Sequence, residues 1–164
     1  MLRWLDLLRC DSASNPSPII TRHIAKDAIM ILHTSNYSQP WQWGGASQQG
    51  GRHEQQDRWA VFESPGQEGL LAILADGMGG HVGGALGAQI VINLAREFIQ
   101  NPPPTLRTHP GSELEQLCRR MHQAINSQSE TARSTIVMVW IERERVSWLN
   151  IGDSRLYHSG AGSA

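Results

Sequence analysis

Cysteine, long apolar runs and an excess of charge of either sign are all scarce in this 164-residue chain, and each scarcity excludes a class of protein. Its two cysteines, Cys10 and Cys118, are too few for a disulfide scaffold and lack the paired spacing of a cysteine metal site. Fourteen basic and fifteen acidic residues leave a net charge of -1, which favours neither nucleic acid nor an anionic membrane as a partner. No apolar run approaches the roughly 20 residues that a bilayer-spanning helix needs. We therefore expect a cytoplasmic globular protein with no nucleic-acid or membrane partner.

Apolar patterning from residue 57 onward predicts two β-hairpins separated by two helices. The predicted strands are 57–63, 69–75, 134–141 and 146–152, and the predicted helices run from 83 to 100 and from Ser112, where Glu115 completes a capping box. This order lacks the strict strand–helix alternation of a parallel sheet, so the fold class is α+β, with an antiparallel sheet covered by a helix pair. Three tryptophans in these strands are expected to lie in the core: Trp59, Trp140 and Trp148.

The segment "ADGMGGHVGG" places one carboxylate, Asp76, at the end of an apolar run and follows it with five glycines in eight positions. A dinucleotide fingerprint needs glycine where Val82 stands, and a nucleotidase-type phosphate loop needs a lysine that the segment lacks. Two interpretations stay open: a flexible turn between strand and helix, or an oxygen-ligand site where Asp76 and the Gly77 carbonyl face Mg²⁺ or Mn²⁺. Two other acids near strand ends, Asp57 and Asp153, could converge on the same rim of the sheet.

Three segments together resemble a known family. In order, "RHEQQDR", "ADGMGGH" and "NIGDSRLY" are similar to motifs of the metal-dependent type-2C serine/threonine protein phosphatases (the PPM family), particularly its bacterial branch. "STIVMVW" occupies the place of the family's Ser-Thr strand. The resemblance implies a sandwich of two antiparallel β-sheets flanked by helix pairs. Residues 39–164 would form the N-terminal portion of that domain, and residues 1–38 an extension of unknown role.

The resemblance also implies an activity, which is hydrolysis of phosphoserine and phosphothreonine in proteins by a water activated at two or three Mn²⁺ or Mg²⁺ ions. The implied partners are phosphorylated proteins, namely a bacterial serine/threonine kinase or its targets. By position in the motifs, Arg52 would hold the substrate phosphate, Asp76 would bridge two ions beside the Gly77 carbonyl, Asp57 would act mainly through metal-bound water, and Asp153 would belong to a third, weaker metal site.

The chain departs from the family pattern in three ways. Gln56 stands where many members have glutamate, so this potential ligand offers an amide oxygen without charge. Met78 replaces a histidine that serves as general acid in other branches. Family members also continue to two further metal-binding aspartates that this sequence does not include. The alternative function is therefore a catalytically silent or truncated phosphatase-like module that binds a phosphoprotein partner.

Overall fold

A computed structural model describes residues 4–9, 29–33, 41–47, 49, 53–67, 69–78, 80–142 and 144–157 of the chain. These residues belong to two units, which divide between Gln55 and Gln56. Within the described ranges, no helix combines the length and the hydropathy that crossing a bilayer requires.

The first unit contains a three-stranded antiparallel sheet. Its strands are β1 (Trp4–Arg9), β2 (Ile29–His33) and β3 (Trp41–Ser47), and β3 is the central one. Strands β1 and β2 lie within residues 1–38, where the sequence analysis predicted no strand. The turn-rich stretch "DSASNPSP" lies outside the described residues. The interpretation of residues 1–38 as an extension stays a prediction.

The second unit contains a four-stranded antiparallel sheet and two helices, in the order that the sequence predicted. Its strands, in order across the sheet, are β4 (Asp57–Glu63), β5 (Leu70–Met78), β6 (Arg133–Ile141) and β7 (Val146–Ile151). Its helices are α1 (Gly80–Gln100) and α2 (Pro110–Gln128), and short 3-10 turns lie at Pro65–Gln67 and Pro104–Leu106. The α+β class is therefore confirmed.

A tight loop closes the hairpin formed by β4 and β5. The amide of Ser64 donates a hydrogen bond of 2.9 Å to the carbonyl of Gly69. Between them, Gly66 adopts φ +79°, a left-handed conformation that glycine reaches without steric cost. From this loop the two strands pair continuously, from Glu63 opposite Leu70 to Asp57 opposite Asp76.

The hydrophobic core lies between this sheet and the helices. Alternate residues of β5 and β6 share one face of the sheet, because side chains alternate along a strand and opposed residues point the same way. The core consists mainly of Leu71, Ile73, Ala75, Ile136, Met138 and Trp140 from the sheet and Ala88, Val91, Ala95, Leu114, Leu117 and Met121 from the helices. Trp140 is buried as predicted and Trp59 is half-buried, but Trp148 on edge strand β7 is 63% exposed, so its predicted core position is wrong.

Helix α2 begins before the predicted capping box. Its first residue is Pro110, and His109 at the N-cap makes no side-chain capping bond. Proline suits this position because its missing amide donor would have no partner inside the helix. Glu115 instead forms an exposed ion pair with Arg119, one turn further along.

Strand β5 is longer than predicted. It continues to Met78, three residues beyond the predicted end at Ala75. Pairing with strands on both sides extends it, since β4 reaches Asp76 and β6 reaches Met78. Asp76 and Gly77 therefore lie in a paired strand and not in a flexible turn.

Candidate functional site

Two of the predicted acids face each other across strands β4 and β5. Asp57 is the direct cross-strand partner of Asp76. Residues paired in this way point to the same face of a sheet, with Cβ atoms about 4.5–5.5 Å apart. Since Ala75 lies in the core under the helices, its neighbour Asp76 points to the opposite face of the sheet. The fold thus places two carboxylates side by side on the face away from the helices.

Burial makes this pair chemically unusual. Asp57 is only 6% exposed, and Asp76 is half-buried. Like charges directly opposite each other in a sheet are destabilising. A divalent cation held by both acids would offset that repulsion, and carboxylate oxygens are ligands that Mg²⁺ and Mn²⁺ prefer.

The backbone beside the acids is packed tightly against the start of helix α1. The amide of Gly77 donates a 3.2 Å hydrogen bond to the carbonyl of Gln56. A Cβ atom on Gly77 would overlap the carbonyl group of Gly84, and a Cβ atom on Gly84 would lie 2.8 Å from Oε1 of Gln56. Neither glycine has a positive φ angle. They are needed because strand and helix approach closely, not because the backbone turns there.

A chain of hydroxyl groups connects Asp76 to the segment after β7. Thr135 is the β6 partner of Asp76, and it is 1% exposed. Its Oγ1 accepts a 3.2 Å hydrogen bond from the amide of Asp76 and lies 2.7 Å from Oγ of Ser154. The carbonyl of Ser154 in turn accepts a 2.9 Å bond from the side-chain amide of Asn150.

Asp153 belongs to the turn that this hydroxyl chain anchors. Its neighbour Gly152 adopts φ +99°, and a Cβ atom there would lie 2.7 Å from Cγ2 of Thr135. Only glycine fits, because of both the dihedral angle and the close contact. The Asp153 side chain itself is exposed. The structure therefore brings the turn that contains Asp153 into contact with Thr135. Thr135 is in turn the strand partner of Asp76, one of the two opposed acids.

The remaining predicted site residues are Gln56, Gly77 and Arg52. Gln56 and Gly77 are sequence neighbours of the two acids and are joined by a backbone hydrogen bond, while the side-chain oxygen of Gln56 lies beside Gly84 of helix α1. Arg52 lies outside the described residues. Across the described ranges, no three His, Cys, Asp or Glu side chains are grouped closely enough to hold a metal ion by themselves.

Neither Thr135 nor Ser154 was among the predicted site residues. Thr135 belongs to the segment that resembles the family's Ser-Thr strand, and Ser154 follows Asp153 in "NIGDSRLY". Their contact joins residues 19 positions apart. The sequence offers one indication of this contact. A polar residue, Thr135, lies near the start of an apolar strand, and a serine, Ser154, lies just beyond the end of the following strand.

The guanidinium of Arg155 donates a 3.4 Å hydrogen bond to the hydroxyl of Tyr157, and this bond raises the pKa of Arg155. Arg155 therefore stays cationic two residues from Asp153.

Two surface cavities lie away from the acids. One, of about 460 Å³, lies between α2 and the edge of the sheet and is lined by Cys118, His122 and Leu149 among others. The other, of about 570 Å³, lies between the two helices and includes Phe98 and Leu117. Neither is lined by Asp57, Asp76 or Asp153, so neither belongs to the acidic site.

Comparison with known proteins gives concordant results. The family model of protein phosphatase 2C matches residues 44–164. The serine/threonine phosphatase stp of Listeria welshimeri is 28% identical over an alignment of 116 residues, which covers 65% of this chain and 44% of the relative. The chain thus spans less than half the length of this curated relative.

Solved structures resemble the fold. The Mycobacterium tuberculosis serine/threonine phosphatase PstP/Ppp superposes with a TM-score of 0.54 and 22% identity, covering 78% of this chain and 47% of that one. The catalytic domain of PstP in complex with two manganese ions gives a TM-score of 0.53 at 22% identity, covering 78% of this chain and 48% of that chain. At this identity the likeness concerns the fold, and it confirms a partial α+β fold of the type that the resemblance implied.

Proposed function

Because the chain belongs to the protein phosphatase 2C family, we propose that it serves in metal-dependent hydrolysis of phosphoserine and phosphothreonine in proteins. Residues 39–164 would form the N-terminal portion of the catalytic domain. The substrates would be phosphorylated proteins, among them a bacterial serine/threonine kinase or its targets. We place this activity in the cytoplasm.

The observation that carries the proposal is the opposed pair of carboxylates, Asp57 and Asp76. They would hold the metal ions together with the Gly77 carbonyl, the amide oxygen of Gln56 and, at a third and weaker site, Asp153. All these donors are oxygen atoms, and such a set fits Mn²⁺ or Mg²⁺. The related PstP structure contains two manganese ions, and we propose two or three ions of either metal here. Bound divalent ions would lower the pKa of water and offset the negative charge of a phosphate.

The chain's own residues have distinct tasks in this proposal. Arg52 would bind the substrate phosphate, because a planar guanidinium can donate two parallel hydrogen bonds to it. The burial of Asp57 keeps bulk water away from its carboxylate and so strengthens its electrostatic attraction to a cation. Gln56 contributes an oxygen without a charge, so the cluster carries one negative charge fewer than it would with glutamate there.

Titration of the full chain with Mn²⁺ tests the proposal. We expect the wild type to bind Mn²⁺, and we expect Asp76→Asn and Asp57→Asn to weaken binding by about tenfold or more, since each removes a charge from the donor set. Glu144→Gln is the matched control, because it removes an exposed carboxylate at the tip of the hairpin formed by β6 and β7. Hydrolysis of an aryl phosphate is measured on the same variants.

Two results would contradict the proposed function. Mn²⁺ binding by Asp76→Asn that equals wild-type binding would show that the acids are not metal ligands. Binding of a phosphopeptide that persists in Asp76→Asn and in the presence of a chelator would instead support the alternative, a phosphatase-like module that binds a phosphoprotein without hydrolysing it.

A further inference from the structure

Thr135 lies where the two parts of the proposed metal site meet. It is opposite Asp76 in the ladder between β5 and β6, and its side chain touches the turn that carries Asp153. It is 1% exposed, so its hydroxyl makes its bonds with little competition from bulk water.

Both branches of the Thr135 side chain are in use. The hydroxyl accepts a hydrogen bond from the Asp76 amide, and a second hydrogen bond joins it to the hydroxyl of Ser154. The methyl group packs against Gly152, where no Cβ atom would fit. A β-branched side chain has a restricted χ1 angle, so the two contacts hold each other in place.

We propose that the Thr135 hydroxyl is a positioning group that fixes the turn of Gly152–Ser154, and with it Asp153, relative to the backbone of Asp76. This inference rests on the proposed function, because it takes Asp76 and Asp153 to be ligands of divalent cations. Thr135 contacts no ion itself; it acts through the two acids.

Asp153 lies on a turn just beyond the paired part of the sheet. This side chain is exposed and follows the last ladder pair of β7, Ile151 opposite Ile136. Among the described residues the strand pairing ends at that pair, and the turn beyond it is held by the contact of Ser154 with Thr135 and by the bond from Asn150 to the Ser154 carbonyl. Some groups do not contact the metal but hydrogen-bond to its ligands and orient them. Removal of such a group lowers metal affinity or activity by about 10–100-fold.

Three variants separate the hydroxyl from the rest of the side chain. Thr135→Val removes the hydroxyl and keeps the branched shape. Thr135→Ser keeps the hydroxyl and removes the methyl group that contacts Gly152. Ser154→Ala removes the second hydroxyl, and Asp76→Asn serves as the reference for loss of a ligand.

Two measurements on the full chain are combined. The first is the dissociation constant for Mn²⁺, which we expect to rise about tenfold in Thr135→Val and Ser154→Ala and to stay within about twofold of wild type in Thr135→Ser. The second is hydrogen exchange of the Asp76 amide in metal-free protein, compared with the Ile73 amide of the same strand. Thr135→Val should accelerate exchange at Asp76 by about tenfold more than at Ile73, because only the Asp76 amide loses its acceptor.

The outcomes distinguish this inference from the function on which it rests. Unchanged Mn²⁺ affinity in Thr135→Val, in a chain whose affinity Asp76→Asn does reduce, would overturn the positioning role. Equal acceleration at Asp76 and Ile73 would also overturn it, since the variant would then act through global stability. If the wild-type chain binds no Mn²⁺, the proposed function fails, and the exchange measurement alone decides whether Thr135 anchors the strand end: a selective effect at Asp76 supports the anchor, and no selective effect rejects it.

Discussion

Substitution of Gly77 by alanine tests the close approach of strand β5 and helix α1. The new Cβ atom would overlap the carbonyl carbon and oxygen of Gly84 and would lie 2.9 Å from the carbonyl oxygen of Gln56. All these obstacles are backbone atoms, so they cannot rotate away as the end of a flexible side chain would. Either the first turn of α1 or the end of the hairpin must move.

The expected loss of stability follows from two opposing effects. Overpacking of a well-packed site costs about 1–3 kcal/mol, and backbone obstacles argue for the upper end of that range. Alanine also restricts the unfolded chain, which offsets about 0.4–1 kcal/mol. We expect Gly77→Ala to lower the free energy of unfolding by about 2–2.6 kcal/mol, or the melting temperature by about 4–10 °C for a chain of this size.

Two other glycines provide matched controls in the same assay, urea unfolding followed by circular dichroism. Gly111, in the first turn of α2, has open space around its missing Cβ, so Gly111→Ala should stabilise the protein by up to about 1 kcal/mol. Gly84→Ala should fall between the two, because its first obstacle is the side-chain oxygen of Gln56, which can move. A Gly77→Ala variant within about 0.5 kcal/mol of wild type, a difference typical of neutral surface changes, would refute this reasoning.

Two further predictions concern burial elsewhere in the second unit. Burial raises the pKa of the Cys118 thiol above its ordinary value, so in a Cys10→Ala background we expect alkylation at pH 7.5 to be slow in the folded protein and fast in urea. Equal rates in folded and unfolded protein would contradict this. Because a raised pKa means that the folded state holds its proton more tightly, the associated stability is present below the pKa of the unfolded thiol and is lost as pH rises through the folded pKa. Trp148→Ser should change the free energy of unfolding by less than about 1 kcal/mol, because this indole is 63% exposed. Met121→Ala, at a fully buried position, should lower the free energy of unfolding by about 2–5 kcal/mol. Both variants are measured by urea unfolding, and a larger loss in Trp148→Ser than in Met121→Ala would contradict the prediction.

Local patterns in the sequence were sufficient for the elements of the second unit. Short apolar runs joined by turns predicted both hairpins, and apolar residues recurring every three or four positions predicted both helices, because these elements bury one face against a common core. The predicted end of β5 was wrong because pairing with the neighbouring strands determines where that strand ends. Asp76 and Gly77 have little intrinsic preference for strands, yet pairing on both sides holds them in β5.

The candidate site was predicted in part, for the same reason. The motifs identified the acids as candidates because a carboxylate at the end of an apolar run needs a partner. The motifs could not reveal the contact between Thr135 and Ser154, since it depends on the register of strands that are distant in sequence. Trp148 shows a related limit: alternation predicts which face of β7 a side chain occupies, but not how exposed that face is. The metal-binding and phosphate-binding roles, including that of Arg52, stay predictions.

The meeting of Asp57 and Asp76 depends on a loop at the other end of their hairpin. Side chains alternate with a period of two, so a shift of one residue in the pairing would send the two acids to opposite sides of the sheet. The length of the loop between Ser64 and Gly69 sets that pairing, although the loop closes the hairpin at the end opposite the acids. Relatives that use this hairpin in the same way should therefore keep the length of the loop and a glycine at the position of Gly66, and a single inserted residue there should change metal affinity from the far end of the hairpin.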